Sequence, residues 1–563
     1  DSTDSAQAKL DRVLPGGDEG AWLRTRLLPL LGIDAGPPVS REESFAAWRR
    51  FLESIADDGP TVLVFEDVHW ADEALLAFLE HLADWAQGLP LMIVCTARPE
   101  LYEKHPTWGA GLKNGATVSL QPLSDADTTR LVAALLEQAV LPAQTQQLLL
   151  ERAGGNPLYA EEFVRTLRDR GLLDAQGRLP DGVEIAFPET LHALIAARLD
   201  TLPVDRKALL QDAAVIGKVF WSGAVASMGG RQLPDVELAL HELVRKELVR
   251  PFRQSSMEGE EELGFWHVLV RDVAYGQVPR GQRAVKHVKA VEWLEHKAGE
   301  RVEDIAEVLA YHTGEAIALA EATGDETLAA ELRPAAGRYA LLAGERALGL
   351  DTGKALELLS RALELAEDDA PEFPGTLVRW AQAAFQGGDL PGAADALAHA
   401  ASIYRARDDV EGTVDALNTL SIVRHYLGDP RQLEIAQEAV ALLESRPGAM
   451  LVDAVAGLAG SHLVRDEGRE GMAAADRAIE LAAELGLPEP ARALGFRGSA
   501  RLSLGDREGL RDLERAHELL LAQGLGRDAG VAAYNRAYQV SRIEGVGAGL
   551  ELFVELLQFS RTL

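Results

Sequence analysis

Two adjacent carboxylates, Glu66 and Asp67, end the apolar run Thr61-Val-Leu-Val-Phe65. β-forming residues followed at once by two acids are how a buried parallel strand delivers carboxylates to a metal held by nucleotide phosphates. In such a Walker B strand the first acid orders water around Mg²⁺ and the second polarises the attacking water. The first position is more often Asp, so the longer Glu66 departs from the usual pattern. A strand end whose acids cap the next turn is the plainer alternative. The partner motif, Gly-x-x-x-x-Gly-Lys-Ser/Thr, does not occur in the sequence. Its nearest match, Gly349-Leu-Asp-Thr-Gly353-Lys354-Ala355, has the wrong spacing, lacks the hydroxyl that would hold Mg²⁺, and lies far downstream in a helical region. The chain therefore carries half of an ATPase signature.

Arg98 follows the next apolar run in Cys95-Thr-Ala-Arg-Pro99. A cation at a strand's carboxyl end beside the acids could report on a γ-phosphate, and Thr96 could orient water. A solvated Arg before a turn-forming Pro reads equally well from spacing alone. Gly154-Gly155-Asn156-Pro157 reads by itself as a helix end followed by a Pro-led helix start.

The elements that must position these groups follow from periodicity. Between 41 and 122 helix and strand alternate: an amphipathic segment at Phe45–Ile55, a strand at 61–66, a helix capped by Asp72, a strand at 90–96 and another at Ala116–Leu120. That is the βαβ order of a parallel sheet. Leu75, Leu76, Leu79, Leu82 and Trp85 form one apolar face of the capped helix. Helices are expected at 124–137, 142–153 and 158–170, then near 188–200, 204–216 and 234–247, followed by two β-like pieces at 248–252 and 262–266. Three helices and a β-wing suggest a winged helix. Its would-be reading helix, Pro234–Glu247, holds more acids than bases, so it reads as a protein-packing wing and not a DNA reader. Beyond about 340 the chain is Ala/Leu/Glu/Arg-rich helix with turn glycines at 388, 428, 468, 505 and 545, spaced near forty residues. That period predicts a solenoid of helical hairpins. Ala393, Ala394, Ala400 and Ala401 allow close helix approach, and Leu397, Leu417, Leu420, Leu442 and Leu443 supply the buried stripe.

At 563 residues the chain is too long for one core. With 56 basic against 88 acidic residues, a formal charge of -32, it lacks the footprint of a nucleic-acid or anionic-membrane binder. One cysteine, Cys95, rules out an internal disulfide framework and fits a reducing cytoplasm. No apolar run approaches the length of a membrane span, and the polar start, without Met, reads as a numbering that begins inside a longer polypeptide.

Four motifs taken together are more specific than any one. Val-Phe-Glu-Asp-Val-His-Trp-Ala-Asp (64–72), Cys-Thr-Ala-Arg-Pro-Glu (95–100), Gly-Gly-Asn-Pro-Leu-Tyr-Ala-Glu-Glu-Phe (154–163) and Phe-Trp-His-Val-Leu-Val-Arg-Asp-Val-Ala-Tyr (265–275) stand in the order seen in STAND-type, AAA-related signalling ATPases. The chain most resembles the bacterial branch in which a class III adenylate/guanylate cyclase domain precedes such an ATPase and tetratricopeptide-like repeats. The resemblance implies that Glu66 and Asp67 are the Walker B acids, holding Mg²⁺ through water, and that Arg98 is the sensor-1 arginine. It also implies that Pro157 packs against adenine and that His267 reaches a bound diphosphate. ATP/ADP and Mg²⁺ are the implied cofactors, a protein partner the ligand of the repeats, and a nucleotide-dependent oligomer an assembly the resemblance allows.

The expected architecture is multidomain and mainly α. It comprises a partial P-loop-type α/β ATPase core (1–122), a helical lid (123–185), a winged-helix domain (186–280), a helical connector (281–340) and an α-solenoid of TPR-like hairpins (341–563). The expected function is a nucleotide-regulated signalling switch. It hydrolyses ATP if a phosphate loop lies upstream, and this chain alone is inactive. Two alternatives stand beside it: a non-catalytic scaffold with a degenerate nucleotide site, and a LuxR-type transcription regulator whose DNA-binding domain lies outside this chain.

Overall fold

A computed structural model describes residues 3–31, 41–85, 88–136, 141, 143–172, 189–348, 350–522 and 526–562. The fold is mainly helical. The chain divides into two compact units, one of residues 116–333 and one that joins 2–115 with 334–563.

In the first part of the latter unit, helices Thr3–Val13, Asp18–Leu27 and Arg41–Asp57 precede strand β1 (Thr61–Phe65), helix Glu73–Trp85 and strand β2 (Leu91–Cys95). The strands pair in parallel, Thr61 opposite Leu91 through Phe65 opposite Cys95. Phe45, Phe78 and Leu82 pack on Leu63, Leu91 and Ile93 and so cover one sheet face. The other face presents Val62, Val64 and Met92, each about 60 % exposed. Asp72 Oδ1 accepts the Leu75 N–H at 2.7 Å, the cap its position predicts. Leu76, Leu79 and Leu82 are buried, but Trp85 stays exposed beside His81 and leaves the predicted apolar face.

Residues 116–120 form no strand, against the expectation from their alternation. Val118 and Leu120 are largely exposed there. Alternation specifies which side chains share a face, whereas a strand also needs a hydrogen-bonding neighbour, which this segment lacks among the described residues.

Within 116–333, helix Asp125–Leu135 is capped by Ser124, whose hydroxyl accepts the Asp127 N–H at 3.1 Å. It packs with Ala143–Ala153, Pro157–Asp169 and Leu191–Leu199 around Val132, Leu149, Phe163, Val164, Leu167 and Leu194. The predicted helix starts at Pro142 and 188 lie outside the described residues. Helices Val204–Ile216 and Leu233–Arg245 match the predicted pair. A strand β3 (Val219–Trp221) and a helix Ser222–Gly229 fall between them, where neither was expected. Strands β4 (Val249–Pro251) and β5 (Glu262–Phe265) complete an antiparallel sheet in the order β3-β5-β4. Helices Val268–Gly276, Arg280–Ala298 and Ala306–Thr323 follow.

The C-terminal part of the other unit is a run of antiparallel helix pairs. Ala393, Ala394, Leu397, Ala400, Ala401, Leu417, Leu420 and Leu443 are buried in their shared core, with Leu442 half-buried at its margin. Four of the five expected turn glycines adopt the left-handed conformation: Gly388, Gly428, Gly505 and Gly545. The fifth turn departs from prediction. Asp466 takes the left-handed position, at φ 60°, and Gly468 opens the next helix instead. Asp tolerates that conformation better than most residues, so the repeat keeps its period without glycine. Gly349 of the near-match to a phosphate loop lies outside the described residues. Lys354 in that stretch donates its backbone N–H to the Asp351 side chain at 2.8 Å, an ordinary helix cap. Among the described residues no helix is long and apolar enough to cross a membrane.

Candidate nucleotide site

Parallel pairing in register brings the ends of β1 and β2 side by side, and with them Glu66, Asp67, Thr96 and Arg98. Three hydrogen bonds lace these ends together. The Thr96 N–H donates to the Phe65 carbonyl at 2.9 Å, the Val68 N–H donates to the Thr96 carbonyl at 2.9 Å, and the Asp67 N–H donates to Thr96 Oγ1 at 3.0 Å. The Thr96 hydroxyl thus fixes the backbone of the second acid and leaves its own O–H free to donate.

Asp67 adopts φ 59° and ψ 37°, the left-handed region. Only a small share of non-glycine residues do so, and Asp is among those that tolerate it. The turn ends the strand immediately after Glu66 and starts the short helix Val68–Trp70. Glu66 is exposed at the strand end. The Arg98 guanidinium lies 5.6 Å from the centroid of the Trp70 ring, a contact worth about 0.5–1 kcal/mol at an exposed site. Acids, hydroxyl and guanidinium therefore share the carboxyl edge of the sheet, where open α/β folds bind ligands.

Sequence reasoning passed over two neighbours in the same motif. Trp70 supports Arg98, and His69 is buried with neither ring nitrogen hydrogen-bonded, a rare condition for a buried polar group. Their signal was simply position, between Asp67 and the capping Asp72.

The donor set suits Mg²⁺, which keeps several waters and takes one or two carboxylates along with substrate phosphates. Among the described residues no three His, Cys, Asp or Glu side chains are grouped to enclose an ion by themselves. Glu66 and Asp67 are the residues that would hold it.

Pro157 and His267 belong to the 116–333 unit. Pro157 is exposed at the first turn of helix Pro157–Asp169, whose N-cap Asn156 accepts the Leu158 N–H at 2.9 Å. Gly155 before it has φ 76°, and a Cβ there would stand 2.4 Å from the Leu123 carbonyl oxygen. That loop requires glycine at this position. His267 caps helix Val268–Gly276, its Nδ1 accepting the Leu269 N–H at 3.1 Å. An accepting Nδ1 places the proton of a neutral ring on Nε2, so any phosphate contact would use Nε2 as donor.

Residues 4–94 match the AAA ATPase domain family. Over this segment the chain is similar to AAA ATPase domains. The match takes in β1 with both acids and most of β2, in agreement with the motif at 64–72. An uncharacterised protein of Rhizobium meliloti (strain 1021) is 28 % identical over 263 residues, which is 45 % of this chain and 24 % of the relative. The chain spans about a quarter of that relative's length. Among solved structures, a signal transduction ATPase with numerous domains (STAND) carrying a tetratricopeptide repeat sensor, from Pyrococcus horikoshii, is similar. It is 13 % identical with a TM-score of 0.41, covering 97 % of this chain and 82 % of that one. Aspartyl phosphate phosphatase F from Bacillus subtilis is 10 % identical with a TM-score of 0.36, covering 79 % of this chain and 96 % of that one. Likenesses this distant assign no function.

Proposed function

We propose that this chain is the regulatory portion of a cytoplasmic, cyclase-linked signalling ATPase, in which an AAA-type switch answers to a partner bound by the helical repeats. One observation carries the nucleotide half of the reading: Glu66 and Asp67 leave the strand beside Thr96 and Arg98, with Asp67 held in a left-handed turn by the Thr96 hydroxyl. Strained backbone of this kind concentrates at functional sites. Glu66 and Asp67 would hold Mg²⁺ through water, and the ion would supply charge neutralisation for the transferring phosphoryl group. Glu66 orders the waters around the ion, Asp67 accepts the proton of the attacking water, and Arg98 senses the terminal phosphate. Pro157 and His267, both within the 116–333 unit, would contact adenine and diphosphate groups.

The exposed face of β1 and β2 supports a site completed by further chain. Parallel sheets are ordinarily covered on both faces, yet Val62, Val64 and Met92 are open here. A strand and helix bearing the phosphate loop would cover them. Residues 1–563 alone are accordingly expected to bind ATP weakly or not at all, because triphosphate affinity in such folds comes largely from loop N–H groups and a Lys. Calorimetry with MgATP checks this, and sub-micromolar affinity would show that the chain holds a complete site.

If an upstream segment supplies the phosphate loop, the mechanism is tested in the protein that includes it. Asp67→Asn should lower ATP turnover about 100-fold or more with nucleotide binding intact, the pattern of a group that acts in the transition state. Glu66→Gln should raise the Mg²⁺ concentration that turnover requires. Equal loss of nucleotide binding in both variants would instead make the pair structural.

A further inference from the structure

The last repeat hairpin, helices Gly526–Glu544 and Val546–Thr562, is apolar on two sides. Ala529 and Ala532 are buried with Ala491 and Leu520 of the preceding repeat. On the opposite side of the same helix Val531, Tyr534 and Tyr538 share one face by their spacing, and they are 53, 51 and 46 % exposed. Arg542 continues that stripe, its guanidinium 5.9 Å from the Tyr538 ring centroid. Tyr534 stacks on Tyr538 at 6.4 Å and meets Phe553 of the second helix edge-on at 5.7 Å. The stripe therefore runs on to Val546, Leu550 and Val554, all exposed. Helix Val546–Thr562 also touches helix Arg41–Asp57, and these three side chains stay open beside that contact.

Exposed apolar side chains that run together in this way mark an interaction face. Its chemistry distinguishes the occupants. Inside the stack hairpins close on small side chains, with Ala393, Ala400, Ala416, Ala439 and Ala478 all buried, and a further hairpin of that kind would set alanines against two tyrosine rings. Rings with polar tips are what interfaces between proteins concentrate. The charges favour a copy of the same face. Arg542 stands on the first helix and Glu551 on the second, both exposed and close in sequence to the Gly545 turn, and neither has an ion pair among the described residues. A face that carries both signs at one end complements itself. Half a turn about an axis parallel to the helices lays helix Gly526–Glu544 of each copy on helix Val546–Thr562 of the other at the same height, Tyr534 over Phe553 and Arg542 beside Glu551.

We propose that the last hairpin is a two-fold interface between two copies of this chain, with Tyr534, Tyr538, Leu550 and Phe553 at its centre and Arg542–Glu551 pairs at its edge. The stacked tyrosines and the Arg542 guanidinium hold one another before a partner arrives, so little side-chain freedom is lost on association. Two helices of 19 and 17 residues present a face about 25 Å by 20 Å, smaller than the roughly 800 Å² per copy of a standard interface. Association in the micromolar range follows.

Sedimentation velocity of residues 1–563 across the micromolar range tests the proposal. A monomer–dimer equilibrium with no larger species is expected. Tyr538→Glu/Leu550→Glu, at two side chains already exposed in the single chain, should abolish the dimer, with unchanged circular dichroism showing that the helices persist. Arg542→Glu should weaken it about tenfold by setting like charges together, and Arg542→Glu/Glu551→Arg should restore it. Recovery in the double swap is what a loss of folding could not produce. A chain that sediments as a monomer at every concentration would overturn the proposal and leave the face to a further repeat or a different protein. So would a dimer that survives Tyr538→Glu/Leu550→Glu, because the association would then lie elsewhere. Species growing beyond the dimer would overturn the two-fold arrangement, and a double swap no tighter than the single one would overturn the Arg542–Glu551 pairing.

Discussion

Arg198→Ala should destabilise the 116–333 unit by about 3–5 kcal/mol, the usual cost of removing one partner from a buried ion pair. The Arg198 side chain is 2 % exposed and its neighbour Glu162 1 %. Its Nη1 donates to Glu162 at 2.8 Å, its Nε donates to Asp169 at 2.7 Å, and Nη2 donates to the Lys246 carbonyl. Arg165 bridges Glu162 and Glu247 at 2.8 and 2.6 Å, and Lys246 reaches Asp169 at 3.1 Å. Three cations thus meet three carboxylates, and Arg198 touches two of the acids from the dry side. Without it Asp169 keeps Lys246 and Glu162 keeps Arg165, but Glu162 Oε2 and the Lys246 carbonyl lose a buried donor. Arg198→Lys should recover only part of the loss, since an ammonium cannot serve two carboxylates and a carbonyl with a planar fork. Hydrogen exchange of helices Pro157–Asp169 and Leu191–Leu199 in the intact chain reads the effect locally. A loss under about 1 kcal/mol would mean that water enters and replaces the guanidinium.

None of this network was legible in the sequence. Its members are 36 and 82 residues apart, and each alone looks like a surface charge on an amphipathic helix. What could be read was local. A strand of four apolar residues ending in two acids, a helix with its cap three positions before Leu75, and a forty-residue turn period all follow from spacing within a few turns of chain. The closeness of Glu66, Asp67, Thr96 and Arg98 was legible too, because consecutive parallel strands end on the same edge.

The Thr96 hydroxyl bond to Asp67 was not legible, since it depends on a register that composition does not reveal. Burial of His69 likewise needed the fold. The three-residue strand at 219–221 is too short to carry a period, and Ala116–Leu120 carries a period without a partner. Gly468 misled by two residues because Asp466 can hold the same backbone conformation. In each case the local pattern was real, and the deciding contact came from elsewhere in the chain.

Acid should loosen the same 116–333 unit through a different pair, His287 and His312. Both are buried, with Nδ1 of one 2.8 Å from Nδ1 of the other. The Tyr275 hydroxyl lies 3.0 Å from His287 Nε2, and His312 bonds the Ile216 carbonyl. A carbonyl only accepts, so His312 donates to it and its Nδ1 must accept from His287. His287 Nε2 is then left to accept from Tyr275. With both rings neutral every bond in the chain has one donor and one acceptor. Burial is the largest cause holding His287 down to about 3 and His312 to about 4; the His312 ring, Arg271 and Arg283 add repulsion at His287, and Arg271 does so at His312. Tyr311 packs against both rings, Glu315 and Arg283 act on Tyr275, and the Arg271 guanidinium lies over the Tyr275 ring. In the unfolded chain each ring titrates near 6.5, so below that pH the unfolded state binds more protons and stability falls with pH. The loss begins near 6.5, reaches about 2 kcal/mol per ring at pH 5, and ends only below the folded values. Intrinsic-rate-corrected hydrogen exchange of helices Arg280–Ala298 and Ala306–Thr323 should therefore lose about 100-fold or more of its protection between pH 7 and pH 5. Helices Val410–Tyr426 and Ala449–Val464 contain no such pair and serve as the internal reference. Replacing both rings by Gln should lower protection at pH 7 but remove most of its dependence on pH. A slope that survives the double replacement would overturn the assignment of the acid response to this pair.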